Sequence, residues 1–74
     1  MLGNKLTDQE ARIILAYADA NMNSGKAAKA LSYHRNTIKY HLTQIHKRTG
    51  QNPQSFYDLV SLTSTAREIL RGKS

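Results

Sequence analysis

The stretch that decides the fold is NSGKAAKALSYHRNTIKYHLTQIHKRTG, which runs from Asn23 to Gly50. Its apolar residues are spaced as in a short helix, a tight break and a longer helix. Asn23 or Ser24 is suited to cap the first of these helices, and Gly50 is suited to end the second. The pattern therefore predicts a helix-turn-helix made of helices 24–31 and 35–49.

The same stretch carries the whole formal charge of the chain. Six of the eleven Lys and Arg residues lie between Lys26 and Arg48, and no Asp or Glu occurs between Asp19 and Asp58. The rest of the chain has five basic and five acidic residues, so the net charge of +6 belongs to this stretch. Because each Lys or Arg placed near a phosphate releases a condensed counterion, a cationic segment without acids favours a polyanion as ligand.

A first helix is predicted over residues 7–21, because Thr7 and Glu10 form a capping-box pattern at its start. Apolar residues follow at helical spacing, with Tyr17 at one edge, and are expected to face the core: Ala11, Ile14, Leu15 and Ala18. The matching core stripe of helix 35–49 is Ile38, Leu42 and Ile45, with Leu31 contributed by helix 24–31. One centre can bury all of these side chains.

A fourth helix is predicted over residues 53–71, since Asn52 suits the cap and Pro53 the first helical position. Its apolar residues cover a wider arc than one small core requires. Beside a stripe led by Phe56 and Val60, others recur at three- and four-residue spacing and predict a homodimer seam: Leu59, Leu62, Ala66 and Ile69. The alternative is that all of them cover the core. The chain as a whole, 1–74, is predicted to be one small all-α domain of four helices that contains a helix-turn-helix.

Length and composition exclude several classes of protein. Seventy-four residues leave no room for a separate catalytic domain, and the absence of Cys excludes disulfides and thiolate zinc sites. His41 and His46 fall on different faces of a helix, so no metal site is predicted, and no serine has a base positioned by a recognisable motif. We therefore expect neither an enzyme nor a cofactor. No apolar run approaches the roughly 20 residues of a membrane span, so no membrane association is expected.

The central stretch resembles a known family in the motif Ala27-Ala28-x-x-Leu31-x-x-His34-Arg35-Asn36-Thr37-Ile38-x-Tyr40-x-Leu42. It is similar to the signature of the C-terminal helix-turn-helix domain of PucR-type bacterial transcription regulators. The resemblance implies a DNA-binding module whose recognition helix begins with residues 34–37. The chain departs from that family at Met22, where Gly is common, at Tyr33, where a small aliphatic residue is usual, and at His41, where Arg is usual.

A weaker resemblance rests on Leu6-Thr7-x-x-Glu10 and Thr37-Ile38-Lys39-x-His41, which look like parts of the DNA-binding domain of LuxR-type regulators. Both families bind DNA by the same device. Members of the PucR type usually carry sensory domains ahead of this module, whereas here Met1 precedes the first helix by a few residues. The chain is thus expected to be a stand-alone version or a fragment of a longer regulator.

The function predicted from the sequence is a sequence-specific transcriptional regulator, or the DNA-binding domain of one, that reads the major groove of double-stranded DNA with helix 35–49. The predicted DNA-binding residues are Lys26, Lys29, His34, Arg35, Asn36, Thr37, Lys39, Tyr40, Thr43 and Lys47. Two alternatives stay open: a nonspecific nucleic-acid-binding protein and a helical protein-interaction adaptor. The expected location is the bacterial cytoplasm, on the nucleoid when DNA is bound.

Overall fold

The computed structural model describes residues 6–72, so Lys5 and Lys73 of the charge count lie outside the described part. That part contains four helices and no strand: α1 (Asp8–Asp19), α2 (Ser24–Leu31), α3 (Arg35–Thr49) and α4 (Phe56–Arg71). The central helix is α1, which packs against each of the other three, whereas the Cα atoms of α4 come within 8 Å of α1 only. The prediction of an all-α fold with a helix-turn-helix is confirmed.

Local caps set the ends of α2 and α3. The Asn23 side chain caps α2 by accepting the N–H of Lys26 at 3.0 Å. Ser32 then adopts the left-handed conformation at φ 59°, which turns the chain out of the helix. His34 stands at the cap of α3, and Gly50 ends that helix at φ 80°, a conformation that glycine adopts without strain. The two helices thus follow one another across a three-residue break.

The first helix ends at Asp19, earlier than the predicted residue 21. Asn21 and Met22 both lie in the left-handed region, at φ 56° and 65°, which a right-handed helix does not include. The N–H of Met22 donates to the Tyr17 carbonyl at 2.8 Å and closes the turn. The positive φ at Met22 gives a physical reason for the glycine that PucR-type domains commonly carry at this position.

The prediction that α4 starts at Pro53 is wrong. Residues 53–55 form a turn, and α4 begins at Phe56. Asn52 caps this turn rather than the helix, since its Oδ1 accepts the N–H of Gln54 at 3.0 Å. The Asp58 carboxylate accepts the Asn52 N–H at 3.0 Å and ties the turn to α4. Pro53 is fully buried, so its ring serves the packing of the turn and does not open the helix.

The core gathers side chains from all four helices. The predicted α3 stripe of Ile38, Leu42 and Ile45 is buried, with no side chain more than 2% exposed. The predicted α1 stripe is wrong in part, because Ile13 is fully buried whereas Leu15 is only half-buried. The reason is that α1 touches three other helices, so its buried arc is wider than a single stripe and includes neighbouring positions. The α2 helix contributes the small residues Ala27 and Ala28, which let it approach closely.

The predicted dimer seam of α4 belongs to the domain core. Leu59, Leu62 and Ala66 are at most 4% exposed, and Ile69 packs against the same buried cluster. The prediction of a homodimer contact is therefore wrong for Leu59, Leu62 and Ala66, because side chains buried inside one domain are not accessible to a second molecule, whereas a contact through the half-buried Ile69 stays a prediction. Phe56 and Val60 show the opposite behaviour, since they are 62% and 51% exposed. The side of α4 that packs on α1 is thus the side that the sequence predicts to face a second molecule.

Truncation of Leu42 tests the position of α3 in this core. Because Leu42 is 2% exposed and central to the α3 stripe, Leu42→Ala should lower the free energy of unfolding by about 2–5 kcal/mol. The neighbouring Thr43 is exposed, so Thr43→Ala should change it by less than about 0.5 kcal/mol. Urea unfolding followed by circular dichroism measures both. Equal unfolding midpoints for the two variants would contradict the burial of Leu42.

Candidate nucleic-acid interface

The residues singled out as DNA contacts lie together on two helices and the cap between them. We call this the α2–α3 surface and define it by Lys26, Lys29, His34, Arg35, Asn36, Thr37, Lys39, Tyr40, Thr43 and Lys47. Nine of the ten are exposed, and Thr37 is half-buried. The surface therefore consists of side chains that the fold does not use for its core.

One face of α3 supplies half of this surface. At about 100° per residue, positions 36, 40, 43 and 47 fall on one side of a helix, opposite to the buried stripe. Asn36, Tyr40, Thr43 and Lys47 occupy these positions, with Lys39 beside them, and all five are exposed. Each can donate a hydrogen bond through an amide, hydroxyl or ammonium group. This face is polar along its whole length, as a surface that contacts phosphates and base edges requires.

The start of α3 is organised by His34. Its Nδ1 accepts the backbone N–H of Asn36 at 3.2 Å. A ring nitrogen that accepts a hydrogen bond carries no proton, so the neutral imidazole has its proton on Nε2. His34 is exposed, and the Nε2–H is left to donate to a ligand. A single side chain thus caps the helix and presents a donor beside its N-terminus.

The side chain of Arg35 lies against the start of α2. A β-carbon added at Gly25 would stand 3.9 Å from the Arg35 Nε, an ordinary contact distance. The Arg35 guanidinium group therefore reaches the first turn of α2. That turn carries the partial positive charge of a helix N-terminus, and the guanidinium group adds its own charge to the attraction for anions.

All six cations in the central stretch are exposed, and five of them lie on the α2–α3 surface: Lys26, Lys29, Arg35, Lys39 and Lys47. Within residues 6–72, none of these five has an ion-pair partner. Their charge is therefore not neutralised by the described part of the protein. A surface of this kind attracts a polyanion over a distance set by the salt concentration.

Arg48, the sixth cation, has a structural role that the sequence did not reveal. Its Nη1 donates to the Glu10 Oε2 at 3.0 Å, and its Nη2 donates to the Glu10 Oε1, which makes a bidentate ion pair. Glu10 is only 5% exposed, and its Oε1 also accepts the Thr7 N–H at 3.0 Å. The carboxylate of the α1 capping box thus also holds the last turns of α3.

A sign of this pair exists in the sequence. Arg48 follows the buried Ile45 by three residues and the half-buried His41 by seven, which places it at the inner edge of α3. The outer face of that helix is elsewhere, at residues 36, 39, 40, 43 and 47. Helical position, rather than charge alone, separates the cation that pairs with Glu10 from the five on the α2–α3 surface.

The Glu10 carboxyl is ionised in spite of its burial. Burial alone raises the pKa of Glu10, but the hydrogen bonds from Arg48 and from the Thr7 N–H, together with the charges of Arg48 and His41, hold it below its ordinary value. The same hydrogen bond raises the pKa of Arg48. The two side chains are thus a charged pair at neutral pH, with the carboxylate inside the protein.

The described part of the chain holds neither a metal-binding cluster nor a membrane-spanning helix. Among residues 6–72, no three His, Cys, Asp or Glu side chains stand close enough to hold a metal ion. None of the four helices is both long and apolar enough to cross a membrane. A cleft of about 360 Å³ lies between α1 and α4, and none of the residues of the α2–α3 surface lines it.

The four helices and the α2–α3 surface define the class of the protein as a helix-turn-helix domain with exposed cations on both helices of the motif. The sequence profile of the PucR C-terminal helix-turn-helix domain matches residues 2–67, and the chain belongs to this family. The match confirms the resemblance to PucR-type regulators. The chain is thus a helix-turn-helix domain of a family of DNA-binding regulators. The comparisons with curated proteins and with solved structures give no match.

Replacement of Glu10 tests the buried ion pair. Glu10→Gln should destabilise the domain at neutral pH by about 1.5–3 kcal/mol, because Arg48 loses a charged partner. Since the pKa of Glu10 is lowered by folding, the carboxylate stabilises the domain above the ordinary glutamate pKa of about 4.3. That stabilisation is lost as the pH falls through the lower, folded value. The difference in Tm between wild type and variant should therefore narrow below about pH 4.3.

The matched control is Glu68→Gln. Glu68 pairs with Arg71 on the surface of α4, where both side chains are well exposed, so its loss should change the Tm little at any pH. Thermal unfolding of the three proteins between pH 7 and pH 3 measures these differences. A gap between wild type and Glu10→Gln that stays constant over this range would show that the carboxylate is not the stabilising species.

Proposed function

We propose that the chain binds double-stranded DNA in a sequence-specific manner, as the DNA-binding domain of a transcriptional regulator, with α3 in the major groove. The observation that carries this proposal is the α2–α3 surface, with its five exposed and unpaired cations. A merely solvated helix face would mix charges of both signs, whereas the segment from residue 20 to 57 contains no acid at all.

The first turn of α3 is proposed to read bases. Recognition helices present their N-terminal residues to base edges, and Arg35 and Asn36 are the exposed polar residues at that end. The Arg35 guanidinium matches the O6 and N7 acceptors of guanine, and the Asn36 amide matches the N6 and N7 of adenine. These two side chains would therefore set the sequence preference.

The surrounding residues are proposed to hold the DNA backbone. Lys26 and Lys29 on α2 and Lys39 on α3 flank the reading residues and suit phosphates, as does Lys47 further along α3. The Nε2–H of His34 supplies an uncharged hydrogen-bond donor that also suits a phosphate. Tyr40 and Thr43 continue the outer face of α3, where their hydroxyls can reach the groove wall. Thr37 is half-buried in the first turn, so its hydroxyl is the least accessible of the set.

A rigid position of α3 supports this reading. The helix is held by its buried stripe on one side and by the bond from Arg48 to Glu10 near its end. Binding groups that are already in place lose little conformational entropy when the ligand arrives. Arg48 itself is committed to Glu10, so the DNA contact is proposed to use five cations of the stretch and not six.

Paired substitutions separate base reading from phosphate holding. On a site selected from random duplex DNA, Arg35→Ala should lose about 1–3 kcal/mol of binding free energy and relax the sequence preference. Lys29→Ala should weaken the selected site and random DNA alike, and it should reduce the slope of log affinity against log salt by about one. Fluorescence anisotropy over a salt series measures both effects. Arg71→Ala removes the same charge from α4 and should change neither quantity.

Two outcomes would contradict these roles of Arg35 and Lys29. If Arg35→Ala and Lys29→Ala gave the same losses on selected and random DNA, the chain would be a nonspecific nucleic-acid-binding protein. If the affinity for DNA did not depend on salt, the role of the α2–α3 surface would be wrong altogether.

Substitution of His34 separates its two roles. Asn is a good helix cap, so His34→Asn should keep the free energy of unfolding within about 0.5 kcal/mol of wild type. It should still weaken binding to every DNA sequence by about 2–10-fold, because the shorter Asn amide does not place a donor where the Nε2–H of His34 stands. His34→Ala should lose about 1 kcal/mol of stability as well as the affinity. If both variants bound DNA like wild type, His34 would be a cap only.

A further inference from the structure

The exposed apolar side chains are concentrated at one place. Within residues 6–72, four large hydrophobic residues are exposed, and three of them, Phe56, Tyr57 and Val60, lie at the start of α4. The fourth, Tyr40, belongs to the α2–α3 surface. The Phe56 and Tyr57 rings meet edge to face with their centroids 5.5 Å apart. We call Phe56, Tyr57 and Val60 the α4 patch. Clustered exposed aromatic residues are typical of protein interfaces.

A cleft of about 360 Å³ adjoins the α4 patch. Phe56 and Val60 line it from α4, and Met22 lines it from the loop after α1. Two residues of opposite charge, Asp19 on α1 and Arg67 on α4, also line this cleft. Both are exposed, and neither has an ion-pair partner in the described part of the chain. The cleft thus combines an apolar floor with one acid and one base that do not neutralise each other.

We propose that the α4 patch and this cleft dock a second copy of the chain. In the resulting two-fold dimer the apolar patches pack on each other, and Asp19 of each copy pairs with Arg67 of the other. An interface of this symmetry requires a surface that complements itself, since each contact occurs twice with the partners exchanged. An apolar centre accompanied by one unpaired acid and one unpaired base meets that requirement. The acid also disfavours DNA as the occupant, because a phosphate would be repelled there.

The position of the patch is compatible with DNA binding. Among the helices, the Cα atoms of α4 approach those of α1 and not those of α2 or α3, and no residue of the α2–α3 surface lines the cleft. The proposed dimer therefore leaves both α2–α3 surfaces uncovered. The choice of a second copy as the occupant rests in part on the proposed function, because one helix-turn-helix reads few base pairs. Two recognition helices about 34 Å apart would read successive major-groove segments.

The strength of association follows from the size of the patch. Interfaces that bury less than about 1,200 Å² belong to weak and transient complexes. We expect an interface made of a few exposed side chains and one cleft to fall in this range. We therefore expect a dimer that dissociates on dilution and becomes dominant on a two-site duplex, where one bound copy raises the effective concentration of the other.

Sedimentation velocity of the chain without DNA, from about 10 to 500 µM, tests the proposal at concentrations where weak complexes assemble. Wild type should show a monomer–dimer equilibrium. Phe56→Glu should weaken the dimer at least about thirtyfold, because it places two charges in the apolar centre. The matched control is Thr65→Glu, which adds the same charge to an exposed position on the side of α4 away from the cleft and should leave the equilibrium unchanged. Circular dichroism checks that both variants fold.

Charge reversal tests the pairing directly. Asp19→Arg and Arg67→Asp should each weaken the dimer by about tenfold, since attraction becomes repulsion at both symmetric contacts. The double variant should recover wild-type association to within about threefold, because the pairs are restored with the charges exchanged. A wild type that stays monomeric at the highest concentration, a dimer that ignores Phe56→Glu, or a double variant without recovery would each overturn the proposal.

Binding to a duplex with a single site separates this proposal from the proposed function. Phe56→Glu should bind such a duplex as wild type does. A chain that binds this DNA but never dimerises refutes the docking surface alone. A chain that dimerises through the α4 patch without binding DNA refutes the proposed function alone.

Discussion

The buried carboxylate of Glu10 connects the start of α1 to the end of α3. Glu10 accepts the Thr7 N–H at the start of α1 and binds Arg48 in the last turns of α3. A buried ionised group is costly unless its charge and its hydrogen bonds are both satisfied, and here the capping box and the guanidinium together satisfy them. Because α1 packs on every other helix, joining its start to the end of α3 fixes the orientation of the cationic helix relative to the whole domain.

This arrangement divides the charges by function. Arg48 pairs with the buried Glu10, while the five other cations of the central stretch are exposed and unpaired within residues 6–72. It also divides the surface, since α4 makes no contact with α2 or α3 and no residue of the α2–α3 surface lines the cleft beside the α4 patch. The proposed DNA contact and the proposed dimer contact therefore do not compete for the same side chains.

Much of the fold could be predicted because its signals are local. The Asn23 cap and the terminal Gly50 mark the helix-turn-helix within a few residues of chain, and both act in the structure as caps do. The start of α4 could not be predicted, because burial of Pro53 and the bond from Asn52 to Asp58 are properties of the folded turn. The sequence likewise did not decide which face of α4 packs on the core, since apolar residues lie on most sides of that helix. Only the position of α1 determines that Phe56 stays outside.

Contact between α3 and the major groove is the claim on which the functional proposal depends. Intermolecular nuclear Overhauser effects between the labelled chain and a duplex with one selected site measure that contact directly. If the proposal is correct, side-chain protons of Arg35, Asn36 and Tyr40 will show effects to base protons of the major groove, and α2 will show effects to the sugars of the flanking strand. Effects centred on α4, or on minor-groove protons, would contradict it.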